Sequence, residues 1–134
     1  MTPRLGFQDF PDRGPTRPIW IHALSVGEAR AAAPLVKALA RRHPDRGVVV
    51  SASTATGHEI LKDETLPWAR HLFFYPFDLL FSVRRTMRLV DPSAVVIVES
   101  DLWPNFLFEA RRRSVPVILV NARLSERSFA GYRR

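Results

Sequence analysis

Four short polar clusters each follow an apolar run, and together they hold the groups that could do chemistry. Ser25-Val26-Gly27-Glu28 follows the run Ile19-Trp20-Ile21-His22-Ala23-Leu24. Ser51-Ala52-Ser53-Thr54-Ala55-Thr56-Gly57 closes a second run, Glu99-Ser100-Asp101-Leu102-Trp103-Pro104-Asn105 another, and Asn121-Ala122-Arg123-Leu124-Ser125 the last. Glu28, beside a glycine that lets the backbone come close, is placed to accept a proton. Freed from other duties and facing a crevice, it would have a raised pKa and act as a general base. Thr54, Thr56 and Gly57 belong to a stretch of small hydroxyl and glycine residues that opens a helix, which reads as an anion cradle. It is neither a GxxxxGK[ST] loop nor a GxGxxG fingerprint. Glu99 and Asp101, with Trp103 and Asn105, could hold a sugar by hydrogen bonds and stacking. Arg123 would project over the same edge and pair with Glu99 or with a substrate anion.

Each cluster also has a purely structural reading. Ser25-Val26-Gly27-Glu28 matches a capping box, S-x-x-E, in which both side chains only satisfy helix-end N–H groups. Pro34 argues against that, since a proline six residues past Glu28 would disrupt a helix begun at Val26. The expectation is a helix starting nearer Ala32–Pro34, with Glu28 left in a loop. For 51–57 the alternative is an N-cap and a polar turn. For Asp101 it is a helix cap, which is favoured there, and for Trp103 it is packing. Glu99, directly off a buried run, is read as functional.

These clusters need elements to hold them. The runs Ile19–Leu24, Val48–Ala52, His71–Tyr75, Ala94–Val98 and Val115–Val120 are near-continuously apolar and rich in β-branched or aromatic residues, as strands buried on both faces are. Helical patterns near 31–43, 57–65, 79–90 and 104–113 alternate with them. Strict alternation predicts an α/β fold with a parallel sheet and right-handed crossovers. All four clusters then fall at one edge, the carboxyl ends of the strands, where ligands sit in such sheets. Asp78 is expected to cap the helix at 79–90, and Asp91-Pro92 to end it. Pro104 opens the next helix, and Arg111-Arg112-Arg113 suit the dipole at its far end. Residues 1–18, with four prolines and two glycines, read as a loose, irregular lead-in in which Leu5, Phe7 and Phe10 pack on the domain.

A chain of 134 residues with 46% hydrophobic content predicts one domain with a real core. Cysteine is absent and the four histidines are scattered, so a metal site is not expected. The net charge of +7, with arginine supplying nearly all the positive side chains, fits anionic partners (a nucleotide, a phosphorylated lipid, a membrane face or nucleic acid) and equally a solvated surface in an arginine-biased sequence. No apolar run approaches the ~20 residues a membrane span needs, and nothing resembles a signal peptide. The expectation for the chain as it stands is a soluble, cytoplasmic protein.

Taken in order, IWIHALSVGE, SASTATG, ESDLWPN and NARLSERS resemble the N-terminal domain of the bacterial 3-deoxy-D-manno-octulosonic acid (Kdo) transferases, from about Trp20 to Arg134. The resemblance implies the N-terminal half of a GT-B glycosyltransferase fold, with two Rossmann-like domains facing across a cleft. It implies transfer of Kdo from CMP-Kdo, the donor substrate, to a lipid A precursor in lipopolysaccharide core synthesis, at the cytoplasmic face of the inner membrane. No metal or other cofactor is implied, nor any nucleic-acid partner. The glutamate of SVGE maps onto Glu28 as general base. Glu99 follows as a second site acid, and the ATG turn and Arg123 as further site positions. Ser25, Gly27, Asp101 and Asn121 complete the expected substrate-binding set.

The resemblance also marks two departures: family members begin with an apolar anchoring segment, and they carry a C-terminal donor domain. Residues 19–134 therefore read as a truncated acceptor domain without activity of its own, and a helix beginning at Ser125-Glu126-Arg127-Ser128 as the chain ends agrees with that. Two rival readings remain open: another GT-B enzyme, such as lipid A disaccharide synthase or a nucleotide-sugar epimerase, or a basic α/β module that binds anionic lipid or nucleic acid without catalysis.

Overall fold

The computed structural model describes residues 2–6, 8–10, 16–99 and 102–121. Strands and helices alternate in the order β1 (Ile19–Ala23), α1 (Val26–Arg42), β2 (Val48–Ala52), α2 (Ala55–Thr65), β3 (His71–Phe74), α3 (Leu80–Val90), β4 (Ala94–Val98), α4 (Pro104–Arg112) and β5 (Val117–Val120). The strands form one all-parallel sheet in the order β3-β2-β1-β4-β5. This is the Rossmann-like α/β architecture that the alternation predicts.

The period-2 alternation of strands explains the two cores. Ile19, Ile21 and Ala23 point to one face, where Val48, Val50 and Ala52 of β2 meet Ala29, Ala32 and Val36 of α1 and Leu61 of α2. Trp20 points to the other face, with Val49, Phe73, Val95 and Ile97, and packs against α3 and α4 through Val83, Met87, Phe106 and Ala110. Every residue of β1 and β2 is buried, as near-continuous apolar runs require of central parallel strands. The edge strand β5 departs from that expectation, because Ile118 and Leu119 are 48% and 39% exposed.

The chain lays β1, β2 and β3 down in one direction, then crosses back over β1 to place β4 and β5 on the other side. With crossovers of one hand, that reversal puts α1 and α2 on one face and α3 and α4 on the other. The reversal lies between β1 and β4, so the crevice between their carboxyl ends is the place where open α/β sheets bind ligands.

Two local expectations are corrected. Helix α1 begins at Val26 and runs through Pro34, so Glu28 lies in its first turn and not in a loop. Pro34 and Arg30, whose carbonyl loses its donor, are both exposed, so solvent can satisfy that carbonyl and the helix continues. Asp78 does not cap α3, whose N-cap is Leu79 with no side-chain bond. It caps α4 instead: its two carboxylate oxygens accept Asn105 N at 3.0 Å and Phe106 N at 2.9 Å, while Asn105 Nδ2 donates to its carbonyl at 2.7 Å. The sequence neighbour lost to the spatial neighbour because α4 starts beside the end of β3 with no capping side chain of its own. Asp91 does end α3, in the left-handed region at φ 46°.

The described part of the lead-in is anchored. Gln8 exchanges two hydrogen bonds with the Phe74 backbone, 2.8 and 2.9 Å, and so occupies the open edge of β3. Arg4 Nε donates to Tyr75 O at 3.0 Å, and Phe10 sets its ring edge-on to His71 and Phe73. Phe7 lies outside the described residues.

Candidate active site

The carboxyl edge of the sheet is tied together at Leu24. Its N–H donates to Glu28 Oε2 at 2.6 Å. Its carbonyl accepts from Ser53 N at 3.4 Å and from the Thr54 hydroxyl at 3.3 Å. Thr54 also caps α2, accepting Gly57 N at 3.0 Å. The β1–α1 turn and the β2–α2 turn are therefore bonded to each other through one backbone unit.

Gly57 makes that approach possible. A Cβ there would come within 2.8 Å of Thr54 Oγ1, 3.3 Å of Ser25 C and 3.4 Å of Leu24 O. Gly27 differs: it is exposed, and a Cβ there would meet nothing within 4 Å. Nothing in the described fold requires a glycine at 27.

Glu28 is 9% exposed and sits in the third position of α1. The capping box does not form as the sequence pattern allows. Ser25 is the N-cap, but its hydroxyl makes no cap bond, and Glu28 reaches one residue further back, to Leu24. The Leu24 bond orients the carboxylate. The macrodipole of α1 favours negative charge there.

On the far side of the reversal, Glu99 ends β4 with φ 69°, and its N–H donates to Val120 O at 2.8 Å. Asn121 ends β5 with φ 52°. Asparagine tolerates the left-handed region; glutamate occupies it at a cost, and such costs cluster at functional sites. Thr56 is exposed in the first turn of α2 and, with Val26, Ala55, Glu59 and Ile60, lines an apolar cup of about 340 Å³ between the starts of α1 and α2. The structure thus brings Ser25, Gly27, Glu28, Thr54, Thr56 and Gly57 to one edge, with Glu99 and Asn121 ending the strands on the other side of the crossing. Asp101 and Arg123 lie outside the described residues. No group of three metal-ligating side chains gathers among the described residues.

Comparison with known proteins shows which family the chain belongs to. The family model for 3-deoxy-D-manno-octulosonic-acid transferase (kdotransferase) matches residues 1–134. The chain is 37% identical over 129 residues to the 3-deoxy-D-manno-octulosonic acid transferase of Haemophilus influenzae, covering 96% of this chain and 30% of that protein. It is 38% identical over 118 residues to the transferase of the same name from Bordetella pertussis, covering 84% and 27%. A bifunctional glycosyltransferase/methyltransferase of Fusobacterium nucleatum is 30% identical over 131 residues, covering 95% and 20%.

The chain belongs to the Kdo transferase family. It spans under a third of the length of these relatives. The other enzyme classes raised by the sequence do not fit a family match of this extent. Two features of this Kdo transferase family chain escaped the sequence reading. One is Asp78, whose role depends on a partner 27 residues away. The other is His22, read only as a scattered histidine, which is fully buried and hydrogen-bonded to Ser51 across β2. No helix among the described residues is long and apolar enough to cross a membrane.

Proposed function

We propose that this chain is the acceptor-side domain of an enzyme that transfers Kdo from CMP-Kdo to a lipid A precursor in lipopolysaccharide core synthesis. Glu28 takes the proton of an acceptor hydroxyl as that oxygen bonds to the anomeric carbon of Kdo. The bond from that carbon to the CMP phosphate oxygen breaks, and its electron pair leaves with CMP. A sugar hydroxyl is a weak nucleophile at neutral pH, so the proton must go to a positioned base.

One observation carries this reading: a nearly buried carboxyl group is fixed on a helix start beside the strand-order reversal, next to the strand that ends in Glu99. The exposed Gly27 gives the acceptor room to approach. Ser25, Thr54, Thr56, Gly57, Glu99, Asp101, Asn121 and Arg123 are the proposed substrate contacts. The basic balance of the chain suits an acceptor with phosphates and the anionic cytoplasmic face of the inner membrane.

The donor is held by residues beyond these 134, as the threefold greater length of the relatives supports. The purified chain is then expected to bind the lipid A precursor and to show no turnover with CMP-Kdo. Turnover by the chain alone would contradict the domain assignment. Failure to bind the precursor would contradict the acceptor assignment.

A further inference from the structure

The two faces of the sheet carry unlike charge. On one, α2 sets Glu59, Asp63 and Glu64 against Lys62, so that flank is of mixed sign. On the other, α3 carries Arg84, Arg85 and Arg88 and no acid. The end of α4 adds Arg111, Arg112 and Arg113, and its one acid, Glu109, is fully buried. The acids at the two ends of α3 are engaged: Asp78 caps α4, and Asp91 pairs with Arg17 at 3.3 Å.

The same flank exposes large apolar side chains. Phe81 on α3 and Phe108 on α4 are each 56% exposed, and Leu79 and Leu102, just ahead of the two helices, are exposed as well. Helices α1 and α2 expose no large apolar side chain. Trp68, beyond α2, already has Lys37 and Arg41 over its ring at 5.2 and 4.8 Å. A lone exposed phenylalanine needs no explanation, but Phe81 sits among cations: with Leu80, Arg84, Arg85 and Arg88 it lines an open cavity of about 530 Å³. Arg84 also reaches Glu109, the neighbour of Phe108, at 3.4 Å, so α3 and α4 are joined side by side.

A wall of guanidinium and hydrocarbon matches a ligand that is anionic at one level and apolar just beneath it. Arginine grips phosphate through its fork of N–H donors, and aromatic side chains beside it suit the boundary between headgroups and acyl chains. A nucleic acid offers the phosphates but no hydrocarbon for Leu79 and Leu102. We propose that the α3–α4 flank is a docking surface for an anionic phospholipid bilayer, with Phe81 and Phe108 entering below the headgroups and the arginines on lipid phosphates. The helices start at the carboxyl edge of the sheet, so Leu79 and Leu102 put the apolar end of the flank on the side of Glu28 and Glu99. The flank then takes bulk lipid, and the β1–β4 crossing takes the one lipid that reacts. That last use rests on the Kdo transferase reading; the docking does not.

Co-sedimentation of the chain with vesicles free of precursor tests this. The chain is expected to bind vesicles of equal parts phosphatidylcholine and phosphatidylglycerol, less tightly as salt rises, and to leave phosphatidylcholine vesicles largely unbound. A cation near an anionic surface is worth about fivefold, so Arg88→Gln with Arg111→Gln is expected to lose about 20-fold. Phe81→Ser with Phe108→Ser is expected to lose about tenfold. Arg41→Gln with Arg42→Gln, the same charge loss at the far end of α1, is expected to lose less than about threefold. Equal losses from the two arginine pairs would mean that net charge alone attracts the chain, and would overturn the proposal. So would binding that ignores the phenylalanine pair, or tighter binding to a DNA duplex than to the mixed vesicles. A second measurement needs no variant: in the ¹⁵N-labelled parent, amides of Phe81–Arg88 and Phe108–Arg112 should broaden first as mixed vesicles are added, and broadening centred on α1 and α2 would overturn the proposal. A chain that docks on vesicles but binds no lipid A precursor would defeat the acceptor reading and leave the docking surface standing.

Discussion

Two buried glutamates sit at opposite ends of helices in this chain and are held in opposite ways. Glu109, in the last turn of α4, is 0% exposed and surrounded by arginines: Arg112 Nη2 and Arg113 Nε at 2.7 Å, and Arg84 Nε from α3 at 3.4 Å. Hydrogen bonding from Arg112, then Arg113, outweighs burial and holds its pKa at about 2. Such a carboxylate is a poor proton acceptor and a good clamp, fastening α3 to α4. Glu28, in the first turn of α1, takes a backbone N–H of the turn that leads into its own helix. That bond orients the acid from within its own helix start. Burial alone therefore does not mark a reactive acid: Glu109 is the more buried of the two, and its arginines keep it ionised.

Exchanging each glutamate for its amide separates the two roles. In a fusion of this chain to the part of the Haemophilus influenzae relative beyond the matched residues, Glu28→Gln is expected to lower turnover about 10²–10⁴-fold, the worth of a general base. Its amide oxygen can still accept Leu24 N, so the thermal midpoint should stay close to that of the parent. Glu109→Gln should do the reverse, leaving precursor binding intact and lowering stability in urea by about 2–3 kcal/mol. That lies below the ~3–5 kcal/mol of a fully buried pair, because Arg84 and Arg112 are 45% and 50% exposed and water screens their charge.

Acid sharpens the contrast. A depressed folded-state pKa contributes stability that is present above the ordinary carboxylate value of 4.5 and is lost as pH falls toward about 2. The gap in urea stability between the parent chain and Glu109→Gln should therefore close over that window, by about 2 kcal/mol after allowance for the exposed arginines. A gap that stays constant would mean that the arginines do not set the pKa.

The smallest effects separate the two glycines. Gly57→Ala pushes a methyl against Thr54 and Ser25 and should destabilise by about 1–2 kcal/mol. Gly27→Ala meets nothing, so stability should change by less than about 0.5 kcal/mol while affinity for the precursor falls. Equal effects on stability would remove the distinction between a structural and a ligand-facing glycine.

The fold was legible because it rests on local pattern. Ala94–Val98 and Val48–Ala52 are near-continuous apolar runs, broken only by Ser51, and the structure keeps those bounds. The amphipathic pattern of α3 is equally plain, and the Asp91-Pro92 stop holds. What failed depended on space. Pro34 read as a break, but whether a carbonyl without its donor can be tolerated depends on which side of the helix it faces. Asp78 read as the cap of the next helix, but its two oxygens serve α4. Arg111-Arg112-Arg113 read as dipole partners, yet two of them close on a carboxylate the sequence reading passed over. At the site, the sequence placed the SVGE cluster after β1 and Glu99 after β4, and the strands end there. The meeting at Leu24 and the His22–Ser51 bond were not legible, because both are made by residues about 30 positions apart.

The central claim is that the β1–β4 crossing, and not the arginine-rich α3–α4 flank, is where the acceptor meets this chain. Titrating the ¹⁵N-labelled chain with the lipid A precursor and following backbone amides tests it directly. Shifts concentrated at Leu24–Glu28, Thr54–Gly57 and Glu99 are predicted. Shifts confined to Arg84, Arg112 and Arg113, with the crossing unchanged, would contradict it.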